Sequence, residues 1–252
     1  MIVRTLLLGM LTLGMPAAAF NLDDLKSKLD GLKQSNSAPP TSQPTGLDAY
    51  SPQQQAESLK QALTQGAESA VKDLARVDGY LGNPKVRIPL PENLQKADSA
   101  LRKVGMGKYA DEFVTSMNRA AEAAVPEAKA LLVAAVKNMT VNDAKNILLG
   151  DDDAATQYFR RNTETALGTR FKPVVAHSMQ KVRLARTYER FAGQGIKLGL
   201  VKEKDAHLDD YITRKALDGL YLLIAEQEKE IRAHPLQATG DLAKKIFSAL
   251  RP

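Results

Sequence analysis

Apolar residues recur at three- and four-residue steps along nearly all of the chain after residue 51. The first such stretch begins at Ser51-Pro52, a helix-capping side chain followed by a proline suited to the first turn. Its apolar positions are Ala56, Leu59, Leu63, Ala67, Ala70, Leu74 and Val77. This spacing places the apolar side chains on one face of a helix. The pattern therefore predicts a long amphipathic helix that stops near Asp78-Gly79.

Further helical stretches follow, separated by glycine, proline and capping residues. They are predicted over Leu94 to Val104, Ala110 to Ala124, Pro126 to Met139, Thr140 to Gly150, Asp153 to about Arg170, Pro173 to Ala192, within Asp205 to Ala233, and Leu242 to Leu250. Asp153 is expected to cap its helix and Pro173 to open the next. The alternation of a half-buried strand does not appear in the sequence. We therefore predict an all-α fold, with one multi-helix domain over residues 51–252.

One segment between the first two helices has a different character. Residues 80–94 contain Pro84, Pro89 and Pro91, and their only β-like run is Val86-Arg87-Ile88. Proline on both sides of this run makes a hairpin improbable, because proline cannot donate to a strand ladder. The segment is predicted to be an extended strap that crosses the helices.

The N-terminal residues have the order of a secretory signal. Arg4 precedes an apolar stretch, and Pro16 and the small residues Ala17-Ala18-Ala19 follow it. Such a pattern predicts a signal peptide over residues 1–19, cleaved before Phe20. The apolar stretch is shorter than the ~20 residues that span a bilayer. We therefore expect an exported, periplasmic protein.

Two short segments separate the predicted signal from the helical domain. Residues 20–33 place Leu22, Leu25, Leu29 and Leu32 on one stripe, which predicts a short amphipathic helix that could dock on a membrane or a protein. Residues 34–50 are rich in Pro, Ser, Thr and Gln. This composition cannot bury enough apolar surface to offset its ordering entropy, so we expect a flexible linker.

Composition restricts the possible chemistry. The chain has 252 residues, 44% of them apolar, with no Cys and three His. The absence of Cys excludes disulfides, thiolate metal sites and cysteine nucleophiles. His177, His207 and His234 do not have metal-ligand spacing, and the sequence contains no phosphate-binding loop, nucleophile elbow or dinucleotide fingerprint. We therefore assign no catalytic residues, no metal and no cofactor.

Four segments together resemble a known family. They are NPKVRIPLP (Asn83 to Pro91), MNRAAEAAVPEA (Met117 to Ala128), DAATQYFR (Asp153 to Arg160) and TRKALDGLYLLIAEQEKEIR (Thr213 to Arg232). The chain resembles, over about Leu59 to Leu250, a family of exported all-helical proteobacterial proteins catalogued as a domain of unknown function. The resemblance implies a helical fold and an envelope location, and it transfers no activity.

Positive charge is concentrated in one part of the chain. Between Tyr158 and Leu198 nine Lys and Arg face two acidic residues, although the net charge of the whole chain is only +6. Arg183, Arg186 and Arg190 are three and four residues apart and share one helix stripe. They could bind an anionic partner, because the guanidinium fork suits phosphate and carboxylate. The alternative is a solvated face balanced by acidic helices elsewhere.

Asp218 lies in a segment that is apolar all round the predicted helix, which is typical of a buried helix. A buried carboxylate needs a partner, and Arg214, Lys215, Arg119 or Arg160 could supply it. The pair could fix helix register, or the carboxyl could face an internal cavity as a general acid or base.

Arg119 and Glu122 lie opposite the apolar stripe of their own helix, so they are expected to face water or the charges of a neighbouring helix. Arg160 and Glu164 have the i,i+4 spacing of an ion pair.

The sequence as a whole favours a non-enzymatic periplasmic binding module for an envelope partner, either an anionic ligand or a membrane surface. Its candidate binding residues are Arg160, Arg183, Arg186, Arg190, Lys215 and Asp218. The alternative is a small-ligand carrier or metal-independent enzyme with an inter-helix cavity around Asp218. A purely structural or chaperone-like envelope protein is a third possibility. Nucleic acid is not an expected partner of an exported chain.

Overall fold

The computed structural model describes residues 46–103, 107–180, 207–234 and 241–249. Every regular element in these residues is helical, so the all-α prediction is confirmed. The α-helices are α1 Pro52–Ala75, α2 Glu92–Lys103, α3 Lys108–Ala124, α4 Ala128–Asn138, α5 Val141–Leu148, α6 Ala154–Gln180, α7 Leu208–Ala233 and α8 Asp241–Ala249, with 3₁₀ turns at Gly46–Ala49 and Val125–Glu127. The predicted signal peptide, the amphipathic segment 20–33 and the stripe Arg183, Arg186 and Arg190 lie outside the described residues.

Local capping signals fix the starts of α1 and α5. Ser51 Oγ accepts from the backbone N–H of Gln54 at 3.2 Å, and Gln54 Oε1 accepts from the Ser51 N–H at 2.9 Å. Thr140 and Asp143 make the same reciprocal pair at the start of α5. Each box satisfies N–H groups that have no partner within the helix. Both helix starts were predicted correctly.

Helices α6 and α7 form an antiparallel pair at the centre of the core. Thr156 on α6 contacts Glu228 near the end of α7, and Lys172 near the end of α6 contacts Asp210 near the start of α7. The core between and around them includes the fully buried side chains Phe159, Leu167, Phe171, Leu220 and Tyr221. Apart from Phe113 on α3, the largest buried aromatic residues thus lie on these two helices, which are the longest in the described structure, and on the strap.

The strap between α1 and α2 contains no strand in the described structure, as predicted. The prediction that it is extended was only partly right, because residues 77–82 and 84–86 form hydrogen-bonded turns and residues 92–94 already belong to α2. Asn118 on α3 holds its middle, since Oδ1 accepts from the Ile88 N–H at 2.8 Å and Nδ2 donates to the Ile88 carbonyl at 2.9 Å. From α7, the Tyr211 hydroxyl donates to the Pro89 carbonyl at 3.0 Å. The strap therefore obtains from side chains the hydrogen bonds that a sheet partner would otherwise supply.

A glycine on α7 allows the strap to lie close to the helix. A Cβ atom at Gly219 would lie 2.7 Å from Tyr80 Cε1 and 3.1 Å from Val86 Cβ. The Tyr80 hydroxyl, in turn, donates to the Ala216 carbonyl at 2.6 Å. The contact between the strap and α7 therefore depends on the missing side chain at position 219.

The prediction of a helix break before Pro173 was wrong. Pro173 lies inside α6, which continues from Ala154 to Gln180. A proline in a helix removes one backbone hydrogen bond and crowds the preceding turn. The buried side chains of Phe171, Val175 and Met179 continue one apolar face across the proline. We attribute the continuity of the helix to this shared burial, which compensates for the lost bond.

Candidate functional site

Two of the predicted site residues meet on the outer seam between α6 and α7. Arg160 Nη1 lies 3.6 Å from Asp218 Oδ1 and 2.9 Å from Glu164 Oε1. The guanidinium carbon also lies 4.6 Å from the centre of the Tyr221 ring, on which the cation stacks. Arg160 is therefore the partner of Asp218 among the candidates that the sequence offered, and its predicted pairing with Glu164 is confirmed.

The expected burial of Asp218 was wrong. Its side chain is 49% exposed, and Leu222, one turn further along α7, is 40% exposed. Both residues lie on the side of α7 that faces solvent at this level of the structure. The sequence does not reveal this side, because Leu222 is exposed although a leucine in an apolar segment is typical of the core. Lys215 is half-buried, three residues before Asp218.

The Tyr221 hydroxyl lies beneath this seam in a closed chain of hydrogen bonds. Thr163 Oγ1 donates to the Phe159 carbonyl at 2.7 Å and lies 2.9 Å from the Tyr221 hydroxyl. Since the Thr163 proton is already used, the tyrosine hydroxyl is the donor to Oγ1. Burial is the main cause that raises the pKa of Tyr221 to about 12. The phenol is thus a neutral structural donor at neutral pH.

Glu122 was expected to face water or the charges of a neighbouring helix, and this prediction was wrong. The side chain is buried, and Oε1 accepts from the backbone N–H groups of Tyr80 at 3.1 Å and Leu81 at 3.2 Å. Arg119 donates to its other oxygen at 2.6 Å and pairs with Asp78 at 2.7 Å. The sequence signal that could have indicated its burial is that Glu122 is a single acidic residue within a run of alanines.

Glu228 is a second buried carboxylate that sequence reasoning missed. It accepts from the N–H groups of Ala155 at 3.0 Å and Thr156 at 2.9 Å, and therefore caps α6 from another helix. Asp153, the predicted cap, lies directly before α6, but its Oδ2 accepts from the side chain of Gln157. A carboxylate from α7 therefore occupies the place expected for the local side chain.

An open groove of about 630 Å³ lies between α4, α5 and α6. Its apolar side includes Leu131 and Ala134 of α4, and its polar side chains include Asn138, Asp143, Arg161 and Asn162. Arg161 directly follows Arg160, but adjacent helix positions point about 100° apart. The two arginines therefore serve different surfaces, with Arg160 at the seam and Arg161 in the groove.

Arg161 is exposed, and within the described residues it makes no hydrogen bond or ion pair. Asp143 is the acidic residue among the described residues that line the groove, and its carboxylate is already held by the side chain and backbone N–H of Thr140. These two hydrogen bonds, more than the positive charge of Arg161, lower the pKa of Asp143. The guanidinium can therefore take an external anion without breaking an internal bond.

None of the helices in the described part of the chain has the length and hydropathy needed to cross a bilayer. The same residues include no group of three acidic or histidine side chains placed to hold a metal ion.

These features define a class of protein: an all-α domain in which buried polar side chains from α3 and α7 hold a proline-rich strap and the ends of other helices. The family model described as "Protein of unknown function (DUF4197)" matches residues 49–248. The chain therefore belongs to this family, and the resemblance drawn from its four segments is confirmed. No curated protein matches the chain, and no solved structure does so.

Proposed function

We propose that this protein is an exported, non-enzymatic binding module that holds the acidic group of a ligand at Arg161. The observation that carries this proposal is an exposed guanidinium without an internal partner in the described residues, placed in a groove of about 630 Å³. A guanidinium binds carboxylate or phosphate with two parallel hydrogen bonds. Concave sites with a few convergent polar groups are the usual places where proteins bind small molecules.

The chemistry of the groove favours an anion with a short aliphatic part. Arg161 would hold the acidic group, with the side-chain amide of Asn138 beside it as a neutral donor. Leu131 and Ala134 offer apolar surface to the rest of the ligand. Asn162 Nδ2 already donates to the Tyr158 carbonyl at 2.8 Å, so this residue stabilises the wall of the groove.

Export and the basic stripe belong to the same proposal. Cleavage before Phe20 would place the module in the periplasm, where Arg183, Arg186 and Arg190 would add a second contact for an anionic envelope partner. Sedimentation with vesicles that contain anionic lipid tests this contact, because binding through exposed cations weakens at high salt. Binding that does not change with salt would contradict it, and a purified envelope protein that begins at Met1 would contradict export.

The groove itself is tested with octanoate and inorganic phosphate as probes, by calorimetry on the full chain and on the variants Arg161→Ala and Arg170→Ala. Arg170 is an exposed arginine of the same helix, 3.9 Å from Glu127. Loss of a charge-assisted hydrogen bond costs about 1.5–3 kcal/mol, so Arg161→Ala should weaken octanoate binding at least about tenfold. Arg170→Ala should leave it unchanged. Equal affinity in both variants, or no binding of either probe, would refute the proposal.

The alternative is a small-ligand carrier or metal-independent enzyme that uses the seam around Asp218. Arg160 and Lys215 would then act with Asp218 on the ligand. Exposure of Asp218 supports access from solvent, whereas the ion pair with Arg160 at 3.6 Å already engages its carboxylate. We therefore prefer the groove at Arg161.

A further inference from the structure

The groove between α4, α5 and α6 contains one charge of each sign. Among the described residues that line it, Arg161 is the cation and Asp143 is the anion. The two side chains make no ion pair with each other within the described structure. A ligand with a single negative charge would be attracted by one of them and repelled by the other. A ligand that carries an ammonium group as well as an acidic group uses both.

One carboxylate oxygen of Asp143 is available to such a ligand. The hydrogen bonds from the Thr140 backbone N–H at 2.9 Å and from its hydroxyl at 2.7 Å both end on Oδ2. In the described residues Oδ1 has no partner, and it is not one of the buried unpaired side-chain atoms, which are Ser58 Oγ, Asp98 Oδ1 and Thr213 Oγ1. Oδ1 is therefore open to solvent. It can accept from an ammonium group while Oδ2 keeps its place in the cap of α5.

Helices α4 and α6 run antiparallel along the groove. The Tyr158 hydroxyl, near the start of α6, donates to the Ala135 carbonyl near the end of α4 at 2.9 Å. Later in α6, Arg170 lies 3.9 Å from Glu127, which directly precedes α4. Residues later in α6 therefore lie level with residues earlier in α4.

Asp143 lies at the Tyr158 end of the groove. Burial is the main cause that raises the pKa of Tyr158, and the negative charge of Asp143 raises it further. The hydrogen bonds from Thr140 are the main cause that lowers the pKa of Asp143, and the positive charge of Arg161 lowers it further. Asp143 is thus close enough to both side chains to act on Tyr158 and to feel Arg161.

The Arg161 guanidinium is directed towards this same end, because helical side chains lean towards the N-terminus of their own helix. Arg161 follows Tyr158 in α6, so its side chain leans back towards Tyr158 and Asp143. Leu131 on α4 leans in the opposite direction, since α4 is antiparallel to α6. The groove therefore has both charges at one end and the leucine side chain towards the other.

We propose that the groove binds an α-amino acid with an aliphatic side chain, its ammonium group at Asp143 Oδ1 and its carboxylate at Arg161; this rests on the proposed function, because the carboxylate is the acidic group held there. In an α-amino acid the two charged groups share one carbon atom, and the side chain leaves that carbon in another direction. This arrangement matches two charges at one end of the groove and apolar surface at the other. A chain with its methylene groups between ammonium and carboxylate would instead place apolar atoms between Asp143 and Arg161 and leave Leu131 uncovered.

The experiment is calorimetric titration of the full chain with leucine and three relatives of leucine. Isocaproate lacks the ammonium group, isoamylamine lacks the carboxylate, and ε-aminocaproate is an isomer of leucine that carries its charges at opposite ends of the aliphatic chain. Leucine should bind most tightly. Loss of either charged group should weaken binding at least about tenfold, as expected for loss of a charge-assisted hydrogen bond, and ε-aminocaproate should bind no better than isocaproate.

Asp143→Asn separates the ammonium contact from the carboxylate contact. The amide oxygen of asparagine still accepts from Thr140, so the cap and Tm should be retained, whereas the negative charge is removed. Leucine binding should weaken at least about tenfold, and isocaproate binding should not weaken. Asp153→Asn is the matched control, because Asp153 is exposed, binds Gln157 and does not line the groove; it should leave the leucine affinity unchanged.

The outcomes distinguish this ligand class from anion binding at Arg161. Equal affinities for leucine and isocaproate, tight binding of ε-aminocaproate, or an unchanged leucine affinity in Asp143→Asn would overturn the inference. Absence of leucine binding at millimolar concentration would also overturn it, and each of these results is compatible with octanoate binding that depends on Arg161. Leucine binding that Arg161→Ala does not weaken would overturn it from the carboxylate side. Failure of octanoate, phosphate and leucine together would overturn the proposed function as well.

Discussion

Glu228 and Arg232, one turn apart on α7, bind opposite ends of two other helices. Glu228 accepts from the first N–H groups of α6, and Arg232 Nη2 donates to the Ile147 carbonyl near the end of α5 at 2.8 Å. Negative charge is favourable at a helix N-terminus and positive charge at a C-terminus. The two side chains also pair with each other at 2.9 Å. One turn of α7 therefore sets the positions of both neighbouring helix ends.

Removal of the Glu228 carboxylate should strongly destabilise the fold. Glu228→Ala leaves two backbone N–H groups and the Arg232 guanidinium without their acceptor in a buried place. Breaking one partner of a buried pair costs about 3–5 kcal/mol, and urea unfolding followed by circular dichroism measures this loss. Glu230→Ala is the control, because Glu230 is 57% exposed and its carboxylate pairs with the exposed His234; its expected effect is within about 0.5 kcal/mol. Similar losses in both variants would contradict this role of Glu228.

Replacing each of two buried helical glycines by alanine should change the stability of the fold in opposite directions. Gly219→Ala places a methyl group against Tyr80 and Val86 at 2.7 and 3.1 Å, and overpacking of this kind costs about 1–3 kcal/mol. At Gly66 the nearest atom to a new Cβ is Gln227 Cβ at 3.7 Å, an ordinary contact. Gly66→Ala should therefore gain part of the ~1 kcal/mol helix preference of alanine. Thermal melts check the signs, and a rise in Tm for Gly219→Ala would refute the close approach of the strap.

The strap should detach when its central hydrogen bonds are removed. Asn118→Leu keeps a similar volume but leaves the N–H and carbonyl of Ile88 unpaired, at about 1–3 kcal/mol for each buried group. Hydrogen exchange at the Ile88 amide should speed up more than at amides in the middle of α6. The exposed Asn146, replaced by Leu, serves as the control and should leave this exchange unchanged. Equal protection of Ile88 in both variants would mean that other contacts suffice to hold the strap.

Sequence reasoning succeeded where the determining interactions are local. The starts at Ser51 and Thr140 depend on residues three positions away, and the strap follows from its own prolines. It failed where a partner is distant in sequence: Glu122 meets Tyr80 across 42 residues, and Glu228 meets Ala155 across 73. No local pattern contains such pairs.

The direction in which each side chain points from its helix also limited the prediction of the candidate site. Arg160 and Arg161 are identical side chains at adjacent positions, yet one is compensated at the seam and the other faces the groove. The sequence identified Arg160 and did not single out Arg161. A rotation of about 100° between neighbours decides which one meets a carboxylate, and this rotation is fixed only when α6 packs against α4 and α7.

The Tyr221 hydroxyl should make the protein less stable in alkali. Burial raises the pKa of Tyr221 from 10 to about 12 in the folded state. Between these two values the unfolded chain releases the phenol proton and the folded chain keeps it, so the free energy of unfolding falls as pH rises. Its full contribution is present below pH 10 and is lost as pH rises through 12, by up to about 2–3 kcal/mol. Tyr221→Phe removes this component and leaves all other side chains in place, so their contributions cancel in the difference between the two proteins. The measurement is the difference in unfolding free energy between parent and variant from pH 8 to 12. Parallel curves would show that the folded state ionises Tyr221 as readily as the unfolded chain does, and would contradict the burial of its hydroxyl as the cause of the raised pKa.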